Sequence, residues 1–167
     1  MNREILFRAK SIQTDKWISG YYFEDEDNKS YIGYMSKKRY IPDTRDWDTV
    51  EYYENNPTYN WVFVKEEVVS KTVGEYTGLT DKNNVQIFEG DIVKITRRLR
   101  SGMFSEDSYI CKYNDKLASF EFKYIIPKDL QELNRYAIME ESVSMEVLGN
   151  KCVLEVVGNV YDSNNAD

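Results

Sequence analysis

The chain has 167 residues, a formal net charge of −7 and no histidine. That length suits one domain or two small, closely packed ones. The missing histidine excludes Ser-His-Asp and Cys-His catalysis and every imidazole-liganded metal site. Hydrophobic residues make up 41% and charged residues 31%, which reads as globular rather than disordered. No apolar run approaches the roughly 20 residues that span a bilayer. The opening residues Met1–Lys10 alternate apolar and charged side chains without an apolar block. The expectation is therefore no signal peptide, no membrane and a cytoplasmic location. Cys111 and Cys152 lie inside apolar runs and read as buried thiols, too few for a structural zinc site.

Taken in order, Arg3–Ala9 predicts a strand with Ile5 and Phe7 on one face. Lys16–Phe23 predicts a second strand, rich in aromatic and β-branched residues. The acidic turn 24–29 returns the chain into Tyr31–Met35. Residues 36–59 hold two prolines, many Asp and Asn and scattered tyrosines, and predict a long irregular segment. Trp61–Val64 is an apolar strand, and Val68–Thr72 continues extended. Val73–Leu79 and Val85–Phe88 flank Asp81-Lys82-Asn83-Asn84, where Asn tolerates φ > 0 and suits a hairpin turn. Glu89-Gly90 turns into the strand Asp91–Arg98. Tyr109–Tyr113 and Leu117–Ile126 follow as strands. Pro127, Asp129, Leu130, Leu133 and Ala137 predict a helix over 127–140. Met145–Leu148 and Val153–Tyr161 are the last predicted strands.

The fold class is mainly β, a β-rich α+β chain. Residues 1–72 read as antiparallel N-terminal strands with the irregular segment 36–59. Residues 73–167 read as a small SH3-like barrel carrying the helix, either a second region or part of one compact unit. That likeness of shape carries no function.

The run Thr72-Val73-Gly74-Glu75-Tyr76-Thr77-Gly78-Leu79, then Thr80-Asp81-Lys82-Asn83-Asn84 and Ile87-Phe88-Glu89-Gly90-Asp91-Ile92-Val93, resembles the signature of the YopX family of phage and prophage proteins. The opening Arg3-Glu4-Ile5-Leu6-Phe7-Arg8-Ala9 and the closing Glu155-Val156-Val157-Gly158-Asn159-Val160-Tyr161 resemble that family's first and last segments. Asn84 stands where the family usually has Gly, and Asn tolerates the same left-handed conformation. The resemblance implies a mostly β fold and an origin in a phage or prophage of a bacterial cell. It implies no activity and no catalytic residues.

Five groups of residues are candidates for chemistry. Asp81, Glu89 and Asp91 could gather as a carboxylate cluster, or accept backbone N–H groups in tight turns. Asp25 and Asp27 resemble the start of a calcium loop, but the glycine and the closing glutamate are missing. Lys94, Arg97, Arg98 and Arg100 form the strongest basic cluster and are the candidate nucleic-acid contacts. A second basic run, Lys37-Lys38-Arg39, lies among tyrosines. Eight of the 14 tyrosines, Tyr21, Tyr22, Tyr31, Tyr34, Tyr40, Tyr52, Tyr53 and Tyr59, fall between positions 21 and 59. Tyrosine is large, rigid and amphipathic, so these are the candidate protein-binding residues. It also fills half-buried sheet positions.

The functional expectation is a non-enzymatic, prophage-encoded accessory protein with no metal and no cofactor. It would act through contacts with a host or phage protein or with its own copies. Nucleic-acid binding through the basic strand is the second choice.

Overall fold

A computed structural model describes residues 4–40, 43, 52, 54–99, 101–125, 142–144 and 152–162. Among these residues eleven strands run in chain order: β1 (Phe7–Lys10), β2 (Trp17–Glu24), β3 (Ser30–Arg39), β4 (Tyr59–Glu67), β5 (Gly74–Thr80), β6 (Gln86–Phe88), β7 (Asp91–Arg98), β8 (Phe104–Asn114), β9 (Ser119–Tyr124), β10 (Ser142–Ser144) and β11 (Cys152–Asn159). They build two antiparallel sheets, β4-β3-β2-β1-β5-β6 and β10-β9-β8-β7-β11. The mainly β expectation holds.

The SH3-like barrel does not form among the described strands. The hairpin β5–β6 is drawn into the first sheet, where β5 pairs with β1 through Phe7↔Glu75 and Arg8↔Gly74. This leaves β7–β11 as an open sheet. The first sheet thus takes strands from both sides of residue 72. The predicted helix 127–140 and strand Met145–Leu148 lie outside the described residues.

Some boundaries move. The segment expected to be irregular from residue 36 is strand as far as Arg39, because β3 pairs with β4 residue by residue from Tyr31↔Glu67 to Arg39↔Tyr59. Ser70–Thr72 is a short 3₁₀ turn rather than extended chain. The strand expected at Tyr109–Tyr113 begins at Phe104, because β7 pairs with it out to Arg98↔Phe104.

Two apolar clusters hold the sheets. Ile87, Val93, Ile95, Tyr109, Cys111, Phe120 and Phe122 form the larger one, which seats β6 on the second sheet. Ala9, Ile32 and Val68, with Phe7, Ile18, Tyr22 and Tyr34 against them, form the smaller one on the inner face of β1–β4. Cys111 is buried and Cys152 half-buried, and both are free thiols. Burial pushes the Cys111 thiol far above its ordinary pKa.

Candidate binding surface

The three segments that resemble a family signature meet at one buried carboxylate. Asp91, 1% exposed, opens β7. Its Oδ1 accepts from the Arg8 guanidinium and from Asn159 Nδ2 at 3.0 Å, and its Oδ2 accepts from the Phe88 N–H at 2.9 Å. The Arg8 guanidinium carbon sits 4.6 Å from the Trp17 ring and 4.6 Å from the Phe88 ring. Next to it, Lys10 Nζ donates to the Tyr161 carbonyl at 2.9 Å, and Trp17 Nε1 donates to Asp162 at 3.0 Å. Arg8 comes from β1, Phe88 from β6 and Asn159 from β11, so the carboxylate at the start of β7 clasps the two sheets together.

A family model described as YopX protein matches residues 6–165. The chain belongs to the YopX family. No curated protein matches it. In this YopX chain the clasp gives the signature a physical meaning, because Arg8, Asp91 and Asn159 are one from each of its three segments.

The other carboxylates are likewise consumed by backbone. Asp81 Oδ1 accepts from Asn83 N at 2.7 Å and Val85 N at 2.9 Å, and its Oδ2 accepts from Val156 N at 3.1 Å. Burial pulls the Asp81 pKa upward, but the N–H groups of Val85, Val156 and Asn83 together hold it below the ordinary carboxylate value. Asn84 closes that turn at φ 63°, so the left-handed conformation expected of it is present. Glu89 accepts from Tyr113 N at 3.2 Å. The hairpin tip behaves alike: Asp25 Oδ1 accepts from Asp27 N and Lys29 N, both at 3.0 Å. Among the described residues no group of three or more His, Cys, Asp or Glu is arranged to hold a metal. Nor is any helix among them long and apolar enough to cross a membrane.

The basic strand is divided by its own pleat. Arg97 shares a face with buried Val93 and Ile95, while Lys94 and Arg98 point to the other side. Lys94 pairs with Glu106 and Arg97 with Asp107, each at 3.5 Å. Arg100 lies outside the described residues.

The tyrosines are divided too. Tyr22 and Tyr34 turn inward onto the smaller core, and their hydroxyls donate to Glu24 and, at 3.0 Å, to Glu66. Burial first, then those carboxylates, raises both phenol pKa values. Tyr21, Tyr31 and Tyr59 take the outer face of β2, β3 and β4. Tyr31 donates to Asp25 at 2.9 Å, which pushes its pKa up to about 12. Tyr40 follows β3 and Tyr52 lies beyond it, both exposed. Tyr53 lies outside the described residues.

That outer face carries more than tyrosine. Register places Met35 opposite Phe63 and Lys37 opposite Trp61. Tyr21, Met35, Tyr59, Trp61 and Phe63 are each between 55% and 62% exposed. Phe23 stacks on Tyr31 at 5.6 Å. Lys65 Nζ lies 3.7 Å from the Tyr31 ring, and Lys37 Nζ 5.1 Å from the Trp61 ring. Gly33 makes the arrangement possible: a Cβ there would stand 2.4 Å from Phe63 Cζ, so only glycine lets that ring lie across β3. Counting tyrosines misses Met35, Trp61 and Phe63. The signal was present in the period-two run Tyr59, Trp61, Phe63.

Proposed function

We propose that this YopX chain is a non-enzymatic accessory protein of a prophage. It works in the host cytoplasm by holding another protein against the outer face of β2–β3–β4. The observation that carries this reading is the row of five large side chains, Tyr21, Met35, Tyr59, Trp61 and Phe63, more than half exposed on one sheet face. Monomeric proteins rarely leave such a patch without a use, and Tyr, Trp, Phe and Met are the residues that protein interfaces concentrate. Lys37 and Lys65 stand over its rings, so the fitting partner is an apolar surface rimmed by carboxylates. The family match supports the prophage origin. The carboxylates bound up with backbone N–H groups support a non-enzymatic role.

Single-stranded nucleic acid is the competing occupant of a face that combines rings and cations. The net charge of −7 disfavours it by repelling polyanions at long range. The test is capture from phage-carrying host cells, with and without nuclease, using the native chain and the Trp61→Ala/Phe63→Ala variant. A protein retained after nuclease and lost with the double variant supports the proposal. Loss on nuclease treatment alone assigns the face to nucleic acid instead.

A further inference from the structure

The edge of β4 makes a separate offer from its face. β4 is the terminal strand of the six-stranded sheet. Thr58 O accepts from Tyr40 N, and Val68 N donates to Ser30 O, so the even-numbered residues of β4 turn their backbone groups toward β3. The odd-numbered residues therefore turn theirs outward. At Glu67 the outward carbonyl is already taken by Ile12 N at 3.1 Å, where Ser11 bridges Val68. At Tyr59, Trp61, Phe63 and Lys65 the outward N–H and C=O groups have no partner among the described residues. An exposed row of this kind is a template for another strand.

We propose that a second copy of this chain fills the edge, with β4 pairing antiparallel to β4 about a twofold axis. The free stretch fixes the register. It runs from residue 59 to residue 65, and only a twofold at Val62 uses all of it while stopping short of the capped Glu67. In that register Tyr59 faces Lys65 of the second copy, Trp61 faces Phe63, and Val62 faces itself. Each outer-face pair is one that stabilises antiparallel strands: a cation against a ring, and a ring against a ring. No like charges oppose each other. Phe63 helps by leaning inward over Gly33, which leaves the backbone approach clear. The seam extends the aromatic face across both copies, and it is read from the oligomeric state of the pure chain, so it stands or falls apart from the partner proposal.

Substituting Val62→Cys in a Cys152→Ser background tests the register. At a non-hydrogen-bonded pair the Cα atoms lie about 4.5 Å apart, within disulfide range. Mild oxidation is expected to link two copies through residue 62, and light scattering to give about twice the 19.8 kDa chain mass for the native protein. Tyr21→Cys, two strands inward, is expected to stay unlinked. Lys65→Pro removes an outward N–H that β3 does not use, so a folded monomer is expected. A native chain that remains monomeric at the highest attainable concentration overturns the seam. So does linkage through Tyr21→Cys equal to that through Val62→Cys.

Discussion

Half-buried Arg8 on β1 and buried Asp91 on β7 form an ion pair across 83 residues of sequence, and that pair joins the two sheets. Asn159 and the Phe88 N–H complete the carboxylate's hydrogen bonds, and the Trp17 and Phe88 rings flank the guanidinium. Truncating one side of such a pair strands a charge away from water. Asp91→Ala is expected to cost about 3–5 kcal/mol. Denaturant unfolding measures it as a lower midpoint at constant slope. An apolar double replacement, Arg8→Met with Asp91→Leu, should cost less than the sum of the two single changes, because no charge is left unpaired.

Asp81 ties the β5–β6 turn to β11 through three backbone N–H groups and has a depressed pKa. A carboxylate with a lower pKa folded than unfolded adds stability above its unfolded value of about 3.9, and that stability is lost as pH falls through the folded value. Asp81→Asn is therefore expected to lower stability at neutral pH and to flatten the loss of stability below about pH 4. Thermal unfolding of both proteins across that range measures the difference.

Asn84 sits at φ 63°, where a Cβ-branched side chain is strained. Asn84→Gly should leave stability nearly unchanged, since glycine reaches that conformation freely. Asn84→Val is expected to cost about 1–2 kcal/mol. Equal stability of the two variants would show that the turn does not hold this conformation in solution.

Much of the fold was legible because local pattern and final environment agree. In β7, Val93 and Ile95 alternate with Lys94 and Thr96, and the strand is half-buried as that alternation requires. The first half of β8 was not legible, because Ser105-Glu106-Asp107-Ser108 carries no apolar signal and is held as strand by pairing with β7. The hairpin β5–β6 was legible, but its sheet was not, since pairing with β1 is a long-range choice that no local window contains. At the candidate surface, neighbouring tyrosines conceal their faces. Tyr21 and Tyr22 are adjacent in sequence, so the pleat sends one outward and the other into the core. The clasp was present as three separate motif fragments, and only the tertiary structure brings Arg8, Asp91 and Asn159 to one carboxylate.

The outer face makes its own stability prediction. Trp61 and Tyr21 are more than half exposed and should contribute little to folding. Trp61→Ala is expected to change stability by no more than about 0.5 kcal/mol. Gly33→Ala, by contrast, forces the Phe63 ring off β3 and should disturb the whole face. Near-ultraviolet circular dichroism reads that change in aromatic packing.

The measurement that bears most directly on the account is nuclease-treated capture with three proteins: the native chain, Trp61→Ala/Phe63→Ala, and Lys94→Ala/Arg98→Ala as a control on the other sheet. The account predicts one host or phage protein held by the native chain and the control, and lost from the aromatic variant while its folded spectrum is unchanged. Equal capture by all three proteins, or loss only in the basic-strand control, would contradict it.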